Sequence, residues 1–83
     1  MRVVLTLDAS DQYDALPGRI RSRVRVLMRR LAYWPAVSGA RPLTAALAGQ
    51  YRMRTGDYRV QFLVERDQIV VVKIGHRDGF YDD

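Results

Sequence analysis

The chain has 83 residues, 48% hydrophobic and 28% charged: the composition of one packed globular domain spanning 1–83, and not of a disordered or collagen-like chain. With no cysteine, one histidine and few serines, it excludes a disulfide scaffold, a thiolate zinc site and a cysteine nucleophile, and leaves little material for imidazole-bound metal or a Ser-His-Asp hydrolase. Its net charge of +5 comes from fourteen basic residues, all arginine except Lys73, and favours a polyanionic partner that guanidinium groups can grip in bidentate fashion.

Arg2 to Leu7 is rich in β-branched and apolar residues and reads as a strand closing at the cap-like cluster Asp8, Ala9, Ser10, Asp11. A short helix is expected from Ser10 to Leu16. Pro17 then starts a second helix running to Tyr33, because proline fits a first turn where its missing N–H costs nothing. In that helix Ile20, Val24, Leu27 and Leu31 recur at i, i+4, i+7 and i+11 and form one apolar stripe. The other faces carry arginines, and like charges such as Arg21 and Arg25 repel with no local compensation. That arginine surface is either a solvated helix face or a docking surface for RNA or an acidic protein segment, with Arg21, Arg25 and Arg29 as its candidate RNA contacts.

Trp34 and Pro35 end the helix, and Ala36 to Gln50 reads as a small-residue connector with one helical turn and no chemistry. Beyond it the period changes to two. Strands are expected at Tyr51–Arg54, Tyr58–Val64 and Ile69–Gly75, joined by turns at Thr55-Gly56-Asp57 and Glu65-Arg66-Asp67-Gln68. The expected fold is α+β: a small antiparallel sheet in the order β-α-α-β-β-β, the first strand at an edge or beside the last, with two helices packed on one face.

Parity assigns the faces. Tyr51, Met53, Tyr58, Val60, Phe62 and Val64 point to the helices, joined by Val70, Val72 and Ile74 if Lys73 is kept out. Arg52, Arg54, Arg59, Gln61, Lys73 and, at the strand exit, Arg77 then converge on the uncovered face. Like charges directly opposite one another are destabilising, and a bound phosphate would remove that cost. A solvated face enriched in arginine by codon bias is the alternative. His76 is either a structural residue at a strand end or a catalyst, and Tyr81 either packing or a stacking platform for a base.

Taken together, Tyr51-Arg-Met-Arg54, Gly56-Asp-Tyr-Arg-Val60 and Gly75-His-Arg77 with Tyr81 resemble the C-terminal half of the RelE/ParE superfamily of bacterial toxin–antitoxin toxins. The helical part, with Leu16-Pro17 leading an arginine-rich helix that ends at Trp34-Pro35, is similar too, so the resemblance covers nearly the whole chain. Gly-His-Arg followed by tyrosine leans toward the RelE branch. That resemblance implies a helix-backed antiparallel sheet and a ribosome-dependent messenger-RNA endonuclease that uses no metal or cofactor and cleaves through 2′-hydroxyl attack on the adjacent phosphate. Carried over by position, Arg52 and Arg54 match the basic pair before the turn, Arg54 and Arg59 would stabilise the phosphorane, Arg77 would lie near the leaving 5′-oxygen, and Tyr81 would stack on a base. Gln61 and Lys73 are the further candidate RNA contacts.

The sequence departs from the family's best-known pattern in having arginines where lysines serve elsewhere, and a guanidinium is a poor general base. His76 is the available substitute, since imidazole ordinarily titrates near neutrality. The acidic residues Asp78, Asp82 and Asp83 beside an RNA site are placed to pair with Arg77 in the free protein. The alternative implied function is a ParE-like toxin that binds DNA gyrase without catalysis; a relative that has lost its activity is the third. In each case the resemblance implies a cognate antitoxin that wraps the toxin in a hetero-oligomer. No segment approaches the roughly 18 apolar residues of a membrane span, so no membrane partner and a cytoplasmic location are expected.

Overall fold

A computed structural model describes residues 1–80. The chain runs β1 (Arg2–Leu5), α1 (Leu7–Asp14), α2 (Gly18–Leu31), β2 (Arg41–Pro42), a 3-10 turn (Ala45–Leu47), β3 (Gln50–Thr55), β4 (Tyr58–Val64), β5 (Gln68–His76) and α3 (Arg77–Phe80). One five-stranded sheet has the order β1-β5-β4-β3-β2. The α+β class and the meander of the last three long strands are as the sequence predicts. The sheet is mixed, however, because β1 pairs parallel with β5, from Arg2 opposite Gln68 to Leu5 opposite Val71. No hairpin joins these two strands, so turn chemistry does not fix their relative direction; the long connection between them permits the parallel pairing.

The first strand is shorter than expected and α1 begins earlier. Thr6 is the N-cap: its hydroxyl accepts the Ala9 N–H at 3.1 Å, with Asp8 in the first turn. Leu7 is therefore the first helical residue and stands 85% exposed. Pro17 caps α2, where Val24, Leu27 and Leu31 are buried and Ile20 packs against them, as the stripe requires. These residues, with Ala9 and Leu16, meet Met53, Val60, Phe62, Ile69, Val71 and Ile74 from the sheet. Trp34 closes the core edge, its ring 4.7 Å from Tyr51 and 5.6 Å from Phe62.

A β-bulge in β5 corrects the predicted faces. Gln61 is opposite Lys73 but Phe62 is opposite Val71, so Val72 is passed over in the pairing. Ile69 and Val71 enter the core in place of the expected Val70 and Val72, while Ile74 enters as expected. Without the bulge, the parity that buries Ile69 and Val71 would drive Lys73 inward. The extra residue lets the apolar start of β5 and the cation near its end each face the right way.

The connector is more structured than a linker. Pro42 pairs with Tyr51 on β2, at a sheet edge where a missing N–H is tolerated. Ala45 has φ +56, the left-handed region that costs an L-residue about 1–2 kcal/mol. Glycine adopts this conformation without steric cost, at an entropic cost of about 0.5–1 kcal/mol. Ala45→Gly is accordingly expected to stabilise the fold by about 0.5–1 kcal/mol, read as a rise in melting temperature of about 2–8 °C for a domain of this size. A fall would show that Ala45 does not hold that conformation.

Candidate nucleic-acid interface

Strand pairing places the arginines in rows. Across the face away from α1 and α2, Arg41 on β2 lies opposite Arg52 on β3, Arg52 opposite Gln61 on β4, and Gln61 opposite Lys73 on β5. The neighbouring row sets Arg54 directly opposite Arg59, with Gly75 next in line. No acidic residue occupies the positions of β3, β4 and β5 on this face. A cavity of about 340 Å³ opens here, lined by Gly39, Arg41, Arg52, Met53, Arg54 and Arg59.

Several of these side chains are held from behind. Gln61 donates through Nε2 to Gln50 Oε1 at 2.7 Å. Arg59 donates through Nη1 to the Gly56 carbonyl at 3.2 Å, which draws it toward the β3–β4 turn. That turn needs Gly56 at φ +59, the conformation a type II′ hairpin asks of its first central residue.

Phe80 is buried on this same face, apart from the main core. Lys73 donates through Nζ to the Phe80 carbonyl and stands 4.6 Å from its ring centroid, and the Arg52 guanidinium carbon lies 5.7 Å from that centroid. A Cβ built at Gly75 would lie 3.5 Å from the Phe80 ring, an ordinary contact distance, so Phe80 packs directly over this position of β5.

Arg77 is the first residue of α3 and not a strand residue. Its backbone N–H donates to the Asp57 carbonyl at 2.8 Å, and its Nε lies 3.5 Å from Asp78 Oδ1 and 3.9 Å from Asp57 Oδ1. Arg59 and Arg77 thus both reach the β3–β4 turn. Asp78 does pair with Arg77, although these exposed contacts are weak.

His76 stands elsewhere. Its register partner is Tyr58, which points to the helix side with Val60 and Phe62, and the two rings meet edge to face at 5.2 Å. Its Nδ1 accepts the Asp78 N–H at 3.1 Å, which occupies the lone pair a neutral imidazole would use as a base. The structure does not bring His76 into the arginine cluster. Tyr81 lies outside the described residues.

The helix arginines also part from the sheet cluster, because α2 covers the opposite face. Arg21 Nη1 donates to the Leu16 carbonyl at 2.9 Å and Arg25 Nε to the Tyr13 hydroxyl at 3.0 Å, so Arg21 ties α2 to the segment between the helices and Arg25 ties it to α1. Arg25 and Arg29 flank a groove of about 310 Å³ lined by Val3, Leu5, Met28 and Ala32, beside the open edge of β1. Arg21, Arg25 and Arg29 therefore do not extend the sheet's basic surface.

Two residues of the sheet face escaped the sequence reading. Arg41 sits in the stretch taken as a connector without chemistry, and a two-residue strand carries no period to reveal it. Phe80 lies in a segment with no period to assign it a face, and nothing local in the sequence marks it as packing on the sheet.

Comparison with known proteins agrees with this arrangement. The family model for the "ParE toxin of type II toxin-antitoxin system, parDE" matches residues 3–79. Toxin RelE3 of Methanocaldococcus jannaschii is 25% identical over 99% of this chain and 97% of its own length. The crystal structure of the toxin–antitoxin complex RelBE2 from Mycobacterium tuberculosis contains a chain 28% identical, with a TM-score of 0.79 over 92% of this chain and 90% of that one. The isolated E. coli RelE toxin shares the fold at 13% identity, with a TM-score of 0.77 over 90% and 82% of the two chains. With the family match running through both the helical layer and the arginine-bearing meander, the chain belongs to the ParE-toxin family of type II toxin–antitoxin systems, within the RelE/ParE superfamily of toxins.

Proposed function

We propose that this toxin is an endoribonuclease that cuts messenger RNA on the ribosome, using the open sheet face as its active surface. The observation that carries the reading is the convergence of Arg52, Arg54, Arg59, Gln61 and Lys73, with Arg41, on one face, where β3, β4 and β5 carry no acidic residue and Arg41, Arg52, Arg54 and Arg59 line a cavity. Such a face fits a phosphodiester whose charge grows in the transition state. Attack of a 2′-hydroxyl on the adjacent phosphorus breaks the P–O5′ bond and yields a 2′,3′-cyclic phosphate and a free 5′-hydroxyl. Arg54 and Arg59 hold the equatorial oxygens; Arg77 meets the departing 5′-oxygen once RNA replaces its contacts with Asp57 and Asp78, and Tyr81 stacks on a base. The guanidinium groups stabilise charge and do not take the 2′-hydroxyl proton, which passes to a phosphate oxygen or to water, and the departing 5′-oxygen gains its proton from that phosphate oxygen or from water. Cleavage then depends on the alignment of RNA that the ribosome supplies.

His76 has no part in proton transfer in this scheme, because it lies on the other side of the sheet. His76→Ala is expected to keep cleavage within about threefold of the parent, a change of well under 1 kcal/mol in barrier. A loss of a hundredfold would bring the imidazole back as the base.

The partner is a cognate antitoxin, forming a hetero-oligomer with the toxin. The apolar groove between β1 and α2, with Arg25 and Arg29 at its rim, suits an amphipathic segment with acidic flanks. Related toxins are seen with such partners, as in the RelB-RelE complex from Methanococcus jannaschii. No described helix is long and apolar enough to cross a membrane; a cytoplasmic location follows from the proposed action on ribosomes.

The family's ParE description favours one second reading, a gyrase-binding toxin without catalysis. Primer extension on a defined message in purified 70S ribosomes, run beside a gyrase supercoiling assay, separates the two. Cleavage at A-site codons with supercoiling intact supports the nuclease; blocked supercoiling with an uncut message supports the alternative.

A further inference from the structure

We propose that Arg41 and Arg52 form a second phosphate subsite, next to the Arg54–Arg59 pair, so that the edge strand β2 binds the RNA backbone beside the scissile phosphate. The inference rests on the nuclease reading and extends it to a residue outside the recognised motifs. Two observations carry it.

The first is the pairing itself. Arg41 lies directly opposite Arg52, and Arg54 directly opposite Arg59, so the site holds two like-charged cross-strand pairs side by side. Like charges in that relation destabilise a sheet unless an anion lies between them. Arg52 and Arg54 are two residues apart on β3, about 6.8 Å along the strand, and the two pairs straddle neighbouring strand gaps about 4.8 Å apart, so their centres lie about 8 Å from one another. Long guanidinium side chains reach across that step to consecutive phosphates of an extended nucleic-acid strand. One anion per pair matches one backbone.

The second is the cavity. Its volume of about 340 Å³ is walled by all four arginines together with Gly39 and Met53, so the two pairs share a single concave surface. Gly39 lines it in a left-handed conformation, with no heavy atom within 4 Å of where a Cβ would sit, leaving the wall open next to Arg41. The Arg41 side chain has no hydrogen bond or ion pair within the described residues and is exposed, so it is available to a ligand. Arg52 is steadied from the other side by the Phe80 ring. The cationic strip thereby reaches the sheet edge, and RNA lies across β3 from β4 toward β2.

The test uses the intact protein and a 2′-O-methyl hexanucleotide, which cannot be cleaved, with binding followed by fluorescence anisotropy between about 50 and 200 mM salt. Each phosphate contact on a single strand contributes about 0.7 to the slope of log affinity against log salt. Arg41→Gln should flatten that slope by about 0.7 and weaken binding several-fold at low salt, whereas Arg41→Lys should keep the slope. A methylphosphonate at the phosphate next to the scissile position should weaken the parent but not Arg41→Gln any further. If Arg41→Gln leaves the slope unchanged while Arg59→Gln flattens it, the second subsite is overturned and the nuclease reading stands. If neither variant changes the slope, the sheet face does not bind RNA and both fall.

Discussion

Replacing Arg59 with alanine is expected to lower the rate of message cleavage on 70S ribosomes by about 10²–10³-fold, the usual loss when one preorganised donor is removed from a charge-developing transition state. Arg59 is singled out because its place is fixed: it lies on β4 one residue from the β3–β4 turn, opposite Arg54, and its Nη1 is anchored to the Gly56 carbonyl. The loss should fall mainly on the single-turnover rate at saturating toxin and much less on ribosome association, as expected of an interaction made in the transition state. Arg59→Lys should recover only part, since the ammonium restores charge without the planar fork. Because the change also relieves repulsion with Arg54, denaturant stability should stay within about 1 kcal/mol of the parent. Equal cleavage by parent and Arg59→Ala would remove the sheet face from the chemistry.

The second large effect is on folding. Phe62 is fully buried, its ring 5.6 Å from Trp34 and 5.8 Å from Tyr51, at the point where the helical layer, the connector and the sheet meet. Phe62→Ala should cost about 3–5 kcal/mol through lost transfer energy and the cavity left behind. A domain of this size has in total about 4–12 kcal/mol of stability, so the variant is expected to be close to unfolded. Urea denaturation checks this: with an m-value of about 1 kcal/mol per molar, the midpoint should fall by about 3 M or more. A shift below about 1 M would show that the core is not organised around this ring. The consequence for function is direct, because the neighbouring Gln61 and the whole arginine row keep their spacing only while β4 stays paired on both sides.

Much of this was legible in the sequence wherever a period had room to repeat. The α2 stripe from Ile20 to Leu31 and the alternation of Tyr51 to Arg54 and of Tyr58 to Val64 each run long enough to fix a face, so Arg52, Arg54, Arg59 and Gln61 fell on the open side as parity required. The run Ile69 to Val72 is apolar at every position and carries no alternation, so it could not report the bulge that exchanges Val70 and Val72 for Ile69 and Val71. Counting onward from an outward Lys73 already places His76 on the helix side; its nearness in sequence to Arg77 suggested otherwise. Arg41 was hidden because its strand has only two residues, and its role comes from a cross-strand neighbour eleven positions away. Pairing by tertiary contact leaves no local trace.

Whether the sheet face promotes attack by the RNA's own 2′-hydroxyl is tested by mapping the cut by primer extension on ribosome-bound message and repeating it with a single 2′-deoxynucleotide on the 5′ side of that cut. The expected result is cleavage of the all-ribose message, ends carrying a 2′,3′-cyclic phosphate, and no cleavage at the deoxy-substituted position. Equal cutting of both messages, or an intact message beside inhibited gyrase, would contradict it.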